Sequence, residues 1–141
     1  MFSKQTQYAL RAIIYLALNA SPSHKIGVNV VAEELDVPKQ FLSKILQKLV
    51  IKNLLHSSKG KSGGFYLTKA NLNSNLRLII ETFDGDDLFC SCVMGLPKCS
   101  SENPCPLHEP SIEYRNQLLT RLDNQNIRDL ATSVAKEGFT I

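Results

Sequence analysis

Residues 37–67 read VPKQFLSKILQKLVIKNLLHSSKGKSGGFYL. Within this stretch Phe41, Leu42, Ile45, Leu46, Leu49 and Val50 recur at helical spacing and form one apolar face. Lys39, Gln40, Ser43, Lys44, Gln47 and Lys48 form the other. Pro38 fixes φ and suits a first helical turn, so the pattern predicts a helix over about Pro38–Asn53. Just upstream, VVAEELD at 30–36 predicts a short helix with Asn29 as its cap and Glu33 and Glu34 near its start. Two helices joined by a tight turn, the second with a basic polar face, make a helix-turn-helix. Downstream, Leu54 and Leu55 lead into one strand and Phe65, Tyr66 and Leu67 form its partner. Lys59, Gly60, Lys61, Ser62, Gly63 and Gly64 form the tip. Glycine there permits positive φ and close approach to a phosphate backbone, so the hairpin reads as a wing.

The charge distribution agrees with a nucleic-acid partner. The net charge of +3 conceals a split. Residues 1–69 hold ten Lys/Arg against three Asp/Glu, and residues 70–141 hold six against ten. Between Asp36 and Glu81 there is no acidic residue but eight basic ones: Lys39, Lys44, Lys48, Lys52, Lys59, Lys61, Lys69 and Arg77. A solvated face usually mixes signs; a one-sign block favours a polyanion through counterion release.

Around this centre, residues 3–19 read as a largely buried helix and SPSHKIG at 21–27 as a loop. NLRLIIETF at 75–83 predicts a helix capped by Ser74 and ended by DGDD. From Pro106 or Pro110 to Asp123 a helix is expected, with Ile112, Leu118, Leu119 and Leu122 as a stripe suited to a partner. A last helix, NIRDLATSVAKEG, ends near Gly138. The expected fold is mainly α with a small β-hairpin wing: a winged helix-turn-helix over 1–83, a cysteine-rich loop over 84–110, and a dimerisation helix plus C-terminal helix over 111–141. No apolar run reaches the roughly 20 residues needed to span a membrane. The N-terminal apolar stretch is interrupted by Arg11 and lacks a clear cleavage site. It reads as a first helix, and the protein as cytoplasmic.

All four cysteines fall between Cys90 and Cys105, in CSCVMGLPKCSSENPCPLHEP at 90–110. Thiols scattered for packing would not crowd into one loop. In a reducing cytosol, clustered cysteines favour metal binding over disulfides. Cys92, Cys99, Cys105 and His108 are spaced C-x6-C-x5-C-x2-H, and three thiolates with one imidazole complete a ligand set for zinc or an iron–sulfur cluster. Cys90 is an extra thiol, open to use as an alternative ligand or in a disulfide. A thiol–disulfide switch is a further reading of four thiols this close, with Lys98 near enough to lower a thiol pKa. His24 and His56 read as surface or packing residues, and Tyr8, Tyr15 and Phe41 as core.

These pieces in this order resemble the IscR/NsrR-type winged-helix regulators of bacteria, the Rrf-two family. The resemblance rests on SKQTQYALRA at 3–12, VPKQFLSKILQKL at 37–49, SSKGKSGGFYL at 57–67 and the Cys/His loop. It implies a homodimeric transcription factor that reads a duplex DNA operator with the recognition helix and wing and dimerises through the helix after the loop. It implies an iron–sulfur cluster on Cys92, Cys99, Cys105 and His108, sensing cluster supply, redox stress or nitric oxide. The histidine position matches the 2Fe-2S branch. In the 4Fe-4S branch a carboxylate serves where this chain has Gln7, a poor ligand, so 2Fe-2S is favoured over 4Fe-4S, with zinc the bland alternative. The first gap of x6 is one longer than the common x5. Lys59 stands where the family has a minor-groove arginine, and Ser43 replaces a longer polar residue. The expected DNA-reading set is Pro38, Lys39, Gln40, Ser43, Lys44, Gln47, Lys48, Lys59 and Lys61. No nucleophile elbow, phosphate loop or dinucleotide fingerprint is present, so no enzymatic activity is expected. A cluster-carrying electron-transfer protein is the rival class, but it would not need the basic block or the wing.

Overall fold

Ser3 opens the first helix: its side chain accepts the Thr6 N–H, satisfying one of the amides left unpaired at a helix start. In the computed structural model, which describes all 141 residues, this α1 spans Lys4–Asn19 and buries Thr6, Ala9, Ala12, Ile13, Ile14 and Leu16. Then come α2 (Val28–Leu35), α3 (Lys39–Ile51), β1 (His56–Ser58), β2 (Gly64–Tyr66), α4 (Lys69–Leu72), α5 (Leu76–Asp84), α6 (Asp87–Cys90), α7 (His108–Asp123) and α8 (Ile127–Glu137). The expected class, mainly helical with a small hairpin, is the one observed.

Helices α2 and α3 are joined by Asp36-Val37-Pro38. Asp36 adopts the left-handed conformation, φ 51°, which aspartate tolerates better than most residues. Val37 is buried and pins the turn. The guanidinium of Arg11 donates to the Leu35 carbonyl at 2.7 Å, closing the C-terminus of α2 from α1. Helix α3 buries Leu42, Ile45, Leu46 and Leu49 and leaves Lys39, Gln40, Lys44, Gln47 and Lys48 exposed.

Strands β1 and β2 are antiparallel in the register His56↔Tyr66, Ser57↔Phe65, Ser58↔Gly64. Ile26 adds a bridge to Phe65, with N–H···O distances of 3.1 and 2.7 Å, so the wing is tied to the loop before α2. That contact explains Gly64. Its φ is +147°, and a Cβ there would lie 2.7 Å from the Ile26 backbone.

Several local expectations need correction. Asn29 does not cap α2; the helix starts two residues earlier than expected, at Val28, after Gly27, and has no side-chain cap. Ser74 does not cap α5; Asn75 does, accepting the Arg77 N–H at 2.7 Å. Pro38 precedes α3 as its flanking residue, and α7 begins at His108 rather than at either proline. Arg77, counted in the basic block, is spent inside the protein: it pairs with Glu81 and with Asp123 of α7 at 3.4 Å. Tyr8, Tyr15 and Phe41, expected in the core, are half-buried and pack against it, with Tyr8 and Phe41 meeting edge to face at 5.7 Å. The core is one cluster: Phe89, Leu122 and Ile127 join it, and α8 returns to pack on α1.

Candidate metal centre and nucleic-acid interface

The cysteine loop is a succession of tight turns. The Cys92 carbonyl accepts the Gly95 N–H at 2.9 Å, with Gly95 at φ +66°. The Leu96 carbonyl accepts the Cys99 N–H at 3.2 Å. Ser100 and Asn103 exchange backbone bonds at 3.2 and 3.1 Å, and the Asn103 amide also donates to the Lys98 carbonyl at 3.1 Å. The Cys105 carbonyl accepts the His108 N–H at 3.0 Å, which delivers His108 as the first residue of α7. Prolines at 97, 104 and 106 forbid continuous helix across this run. Little apolar material holds it: Cys92, Cys99 and Cys105 are only half-buried, and most intervening residues are exposed.

The turns converge on one point. The sulfurs of Cys92, Cys99 and Cys105 all lie within 4.8 Å of one another. Cys92 Sγ is 3.8 Å from Cys105 Sγ, and Cys99 Sγ is 3.2 Å from His108 Nδ1. They line a cavity of about 100 Å³ with Cys90, Ile112 and Arg115 among its walls. Cys90, at the end of α6, is exposed. The Cys92 thiol is held down at about 7, chiefly by the Leu96 N–H. The Met94 N–H and the neighbouring thiols add to this, against a contrary pull from partial burial. Cys99 is raised: the Cys105 N–H draws it down, but burial and the adjacent Cys105 and Cys92 thiols outweigh that. Thiols gathered this closely, one drawn down and one pushed up, are suited to a cation that takes them all as thiolates. Arg115 of α7 donates to the Ser91 carbonyl, fastening the start of the loop to the helix that follows it.

The basic side chains lie at the other feature of the fold, α3 with the wing. Gln40, Lys44 and Gln47 point away from the core, with Ser43 half-buried beside them. Lys59 and Lys61 are exposed at the wing tip, where the Gly63 N–H donates to the Gly60 carbonyl at 3.0 Å. A cleft of about 500 Å³ runs between the end of α3 and the wing, lined by Gln47, Ile51, Ser57, Ser58 and Lys59 among others. Lys48 sits to the flank, its ammonium 4.9 Å from the centre of the Phe83 ring of α5. Lys25 was invisible as a wing residue in the sequence; it stands 5.6 Å over the Tyr66 ring. His24 is exposed in a turn, while His56 bonds Asn71 Oδ1 through Nδ1 at 2.8 Å.

The family model described as an iron-dependent transcriptional regulator, Rrf2, matches residues 2–133. The chain belongs to the Rrf2 family. It is 32% identical over 143 aligned residues to an Aquifex aeolicus protein named as an HTH-type transcriptional regulator, covering 100% of this chain and 98% of that one. It is 28% identical over 105 residues to the NsrR regulator of Oceanobacillus iheyensis, covering 74% and 71% of the two chains. In structure it is similar to CymR, the global cysteine regulator of B. subtilis, with a TM-score of 0.76 at 22% identity over 94% and 97% of the chains. It is similar to T. potens IscR with a TM-score of 0.74 at 16% identity over 100% and 93%. At such identities the structural likeness establishes the Rrf2 fold. The Rrf2 family is one of transcriptional regulators, and no helix of this member is long and apolar enough to cross a membrane.

Proposed function

We propose that this Rrf2 protein is a cytoplasmic, homodimeric repressor that binds a pseudo-palindromic duplex operator. It senses iron–sulfur status, redox stress or nitric oxide through a 2Fe-2S cluster on Cys92, Cys99, Cys105 and His108. The observation that carries the reading is the convergence of three thiols and an imidazole, from separate turns of an otherwise weakly held loop, at the first residue of α7. The residues fit such a group by their chemistry: three thiols and an imidazole complete the donor set. When bound, the cluster supplies reversible redox and loss-of-iron chemistry.

The division of labour follows the chain. Residues 1–83 read DNA, 84–110 sense and 111–141 dimerise. Lys39, Lys44, Lys48, Lys59 and Lys61 neutralise phosphates, and Pro38 aims the start of α3. Gln40, Ser43, Lys44 and Gln47 meet base edges, with Lys59 or Lys61 in the minor groove. Tyr114, 57% exposed, and half-buried Leu118, one turn on, leave α7 an apolar face suited to a second copy. An adjoining groove of about 550 Å³, lined by Phe2, Leu88, Val93 and Leu118, extends that face. His108 and the Arg115–Ser91 contact connect the loop to α7, so a change in ligation alters how α7 is held and with it the spacing of the two reading heads.

One observation favours a second reading. A tetrahedral centre with metal–sulfur bonds of about 2.3 Å spaces its sulfurs about 3.8 Å apart, and 3.8 Å is the Cys92–Cys105 separation. A single zinc ion would also fit the set. Metal, sulfide and absorption analysis of protein made with adequate iron and purified without oxygen separates the two. Iron with acid-labile sulfide and a visible chromophore is expected. Stoichiometric zinc without sulfide would overturn the cluster in favour of a zinc-held regulator.

A further inference from the structure

We infer that His56 and Asn71 are positioning residues for the wing: the Nδ1–H of His56, bonded to the buried Asn71 amide, holds the wing at the angle to α3 from which Lys59 and Lys61 reach DNA. This rests on the reading of α3 and the wing as the DNA-reading elements, and it gives His56 a part in binding without contact to DNA. The wing cannot aim itself. Its strands pair only over His56–Ser58 and Gly64–Tyr66, and a two-stranded hairpin is at best marginally stable alone. Lys59, Gly60, Lys61 and Ser62 at its tip are exposed. Its direction must be set at its base.

One side chain holds that base. Asn71 of α4 is 2% exposed. Its Oδ1 accepts the Thr68 N–H at 2.9 Å and the Thr68 hydroxyl at 2.9 Å, and it lies 2.8 Å from His56 Nδ1. Its Nδ2 donates to the Asn53 carbonyl at 2.8 Å. These partners come from three segments that meet at the foot of the wing. Asn53, with φ 57°, lies in the turn after α3; His56 opens β1; Thr68 follows β2 after Leu67. The amide cannot turn over, because the Thr68 N–H only donates and the Asn53 carbonyl only accepts. The atom facing His56 is therefore an oxygen, and the ring nitrogen facing it must carry hydrogen. A neutral His56 is thus held as the Nδ1–H tautomer with Nε2 bare. An amide buried this deeply is costly unless bonded at both ends, so the arrangement is steeply preferred. The Ile26 bridge ties β2, and the His56 ring supplies the corresponding tie on β1.

The test uses where each side chain carries its nitrogen. Asparagine places Nδ2 where histidine has Nδ1, whereas glutamine places its amide near the histidine Nε2. His56 is exposed, so its variants should keep the folded spectrum and melting temperature, and buried Asn71 is left intact. Binding of the full chain to a selected operator and to random DNA is followed by anisotropy, in the cluster state that holds the operator more tightly. His56→Ala should weaken operator binding roughly tenfold, His56→Asn should restore it to within about twofold, and His56→Gln should not. In a Lys59→Ala/Lys61→Ala background the same His56→Ala change should add less than about twofold, because a wing without its lysines has nothing left to aim.

Rescue by glutamine but not asparagine would mean that Nε2 meets DNA directly, and it overturns the positioning role. A His56→Ala loss that persists undiminished without the wing lysines overturns it too, as does His56→Ala at wild-type affinity. A second measurement reads the geometry in the wild-type protein without DNA. Long-range ¹H–¹⁵N correlation of the neutral His56 ring should show hydrogen on Nδ1 and none on Nε2; the opposite tautomer overturns the bond to Asn71. Wild-type protein with no preference for the operator defeats the DNA reading and this inference together. An operator preference that His56→Ala leaves unchanged in affinity defeats this inference alone.

Discussion

His108 is both the first residue of α7 and the imidazole beside Cys99, so its substitution separates ligand chemistry from helix placement. Cys92→Ala, Cys99→Ala and Cys105→Ala should each abolish the visible chromophore. His108→Ala should leave a labile cluster. His108→Cys should keep one at a lower potential, because thiolate is anionic where imidazole is neutral; absorption and potentiometry report both. A His108→Ala protein unchanged in spectrum and lifetime would move the fourth ligand elsewhere, with exposed Cys90 the first to examine. Gly64 makes a different kind of demand. With φ at +147° and the Ile26 backbone 2.7 Å from any Cβ, Gly64→Ala should cost about 2 kcal/mol or more in a urea melt. A loss below about 0.5 kcal/mol would mean that the Ile26 bridge is dispensable. The Cys/His set was legible from spacing because its ligands are near in sequence. The demand on Gly64 was not, since its partner lies 38 positions upstream and only the folded chain brings them together.

Among the elements, α3 and the wing are the ones proposed to carry the DNA reading. Lys44→Ala and Lys61→Ala should weaken binding about equally on operator and random DNA, each lowering the salt slope by roughly one. Gln40 and Ser43 substitutions should instead change which operator is preferred, by about 1–3 kcal/mol for each base edge no longer read. A salt titration on both DNAs sorts them; Lys44→Ala leaving the slope unmoved would take that residue off the phosphates. The amphipathic period made α3 and the helix-turn-helix readable, because burial of Leu42, Ile45, Leu46 and Leu49 follows helical geometry alone. Caps were less readable. Asn75 and Ser74 are both competent cap residues side by side, and tertiary placement selects Asn75, whose amide also donates to the Asp123 carbonyl at 2.9 Å. Helix α4 is hidden in the sequence because four residues show no period. Its capping box between Thr68 and Asn71 and the buried Asn71, which donates to the Asn53 carbonyl at 2.8 Å, define it instead. Charge counting also overstated the DNA face: Arg77 is consumed by Glu81 and Asp123, the latter a pairing across 46 positions that no local window reveals.

In the whole molecule, two reading heads act together only if α7 joins two copies. Tyr114→Glu combined with Leu118→Ala should give a monomer by light scattering. Operator affinity should then fall on the order of 100-fold or more as the second head is lost, with iron content retained. A double variant that stays dimeric would place the interface elsewhere. The central claim is that the loop's occupancy governs operator recognition, and fluorescence anisotropy tests it most directly. Binding to a selected operator and to random DNA of equal length is titrated at fixed salt, with the same preparation before and after anaerobic removal of the cluster. The expected result is an operator preference on the order of 10³ or more in one of the two states, and a clear change in that preference between them. Equal affinity for operator and random DNA in both states would contradict the regulator reading and bring the electron-transfer rival forward.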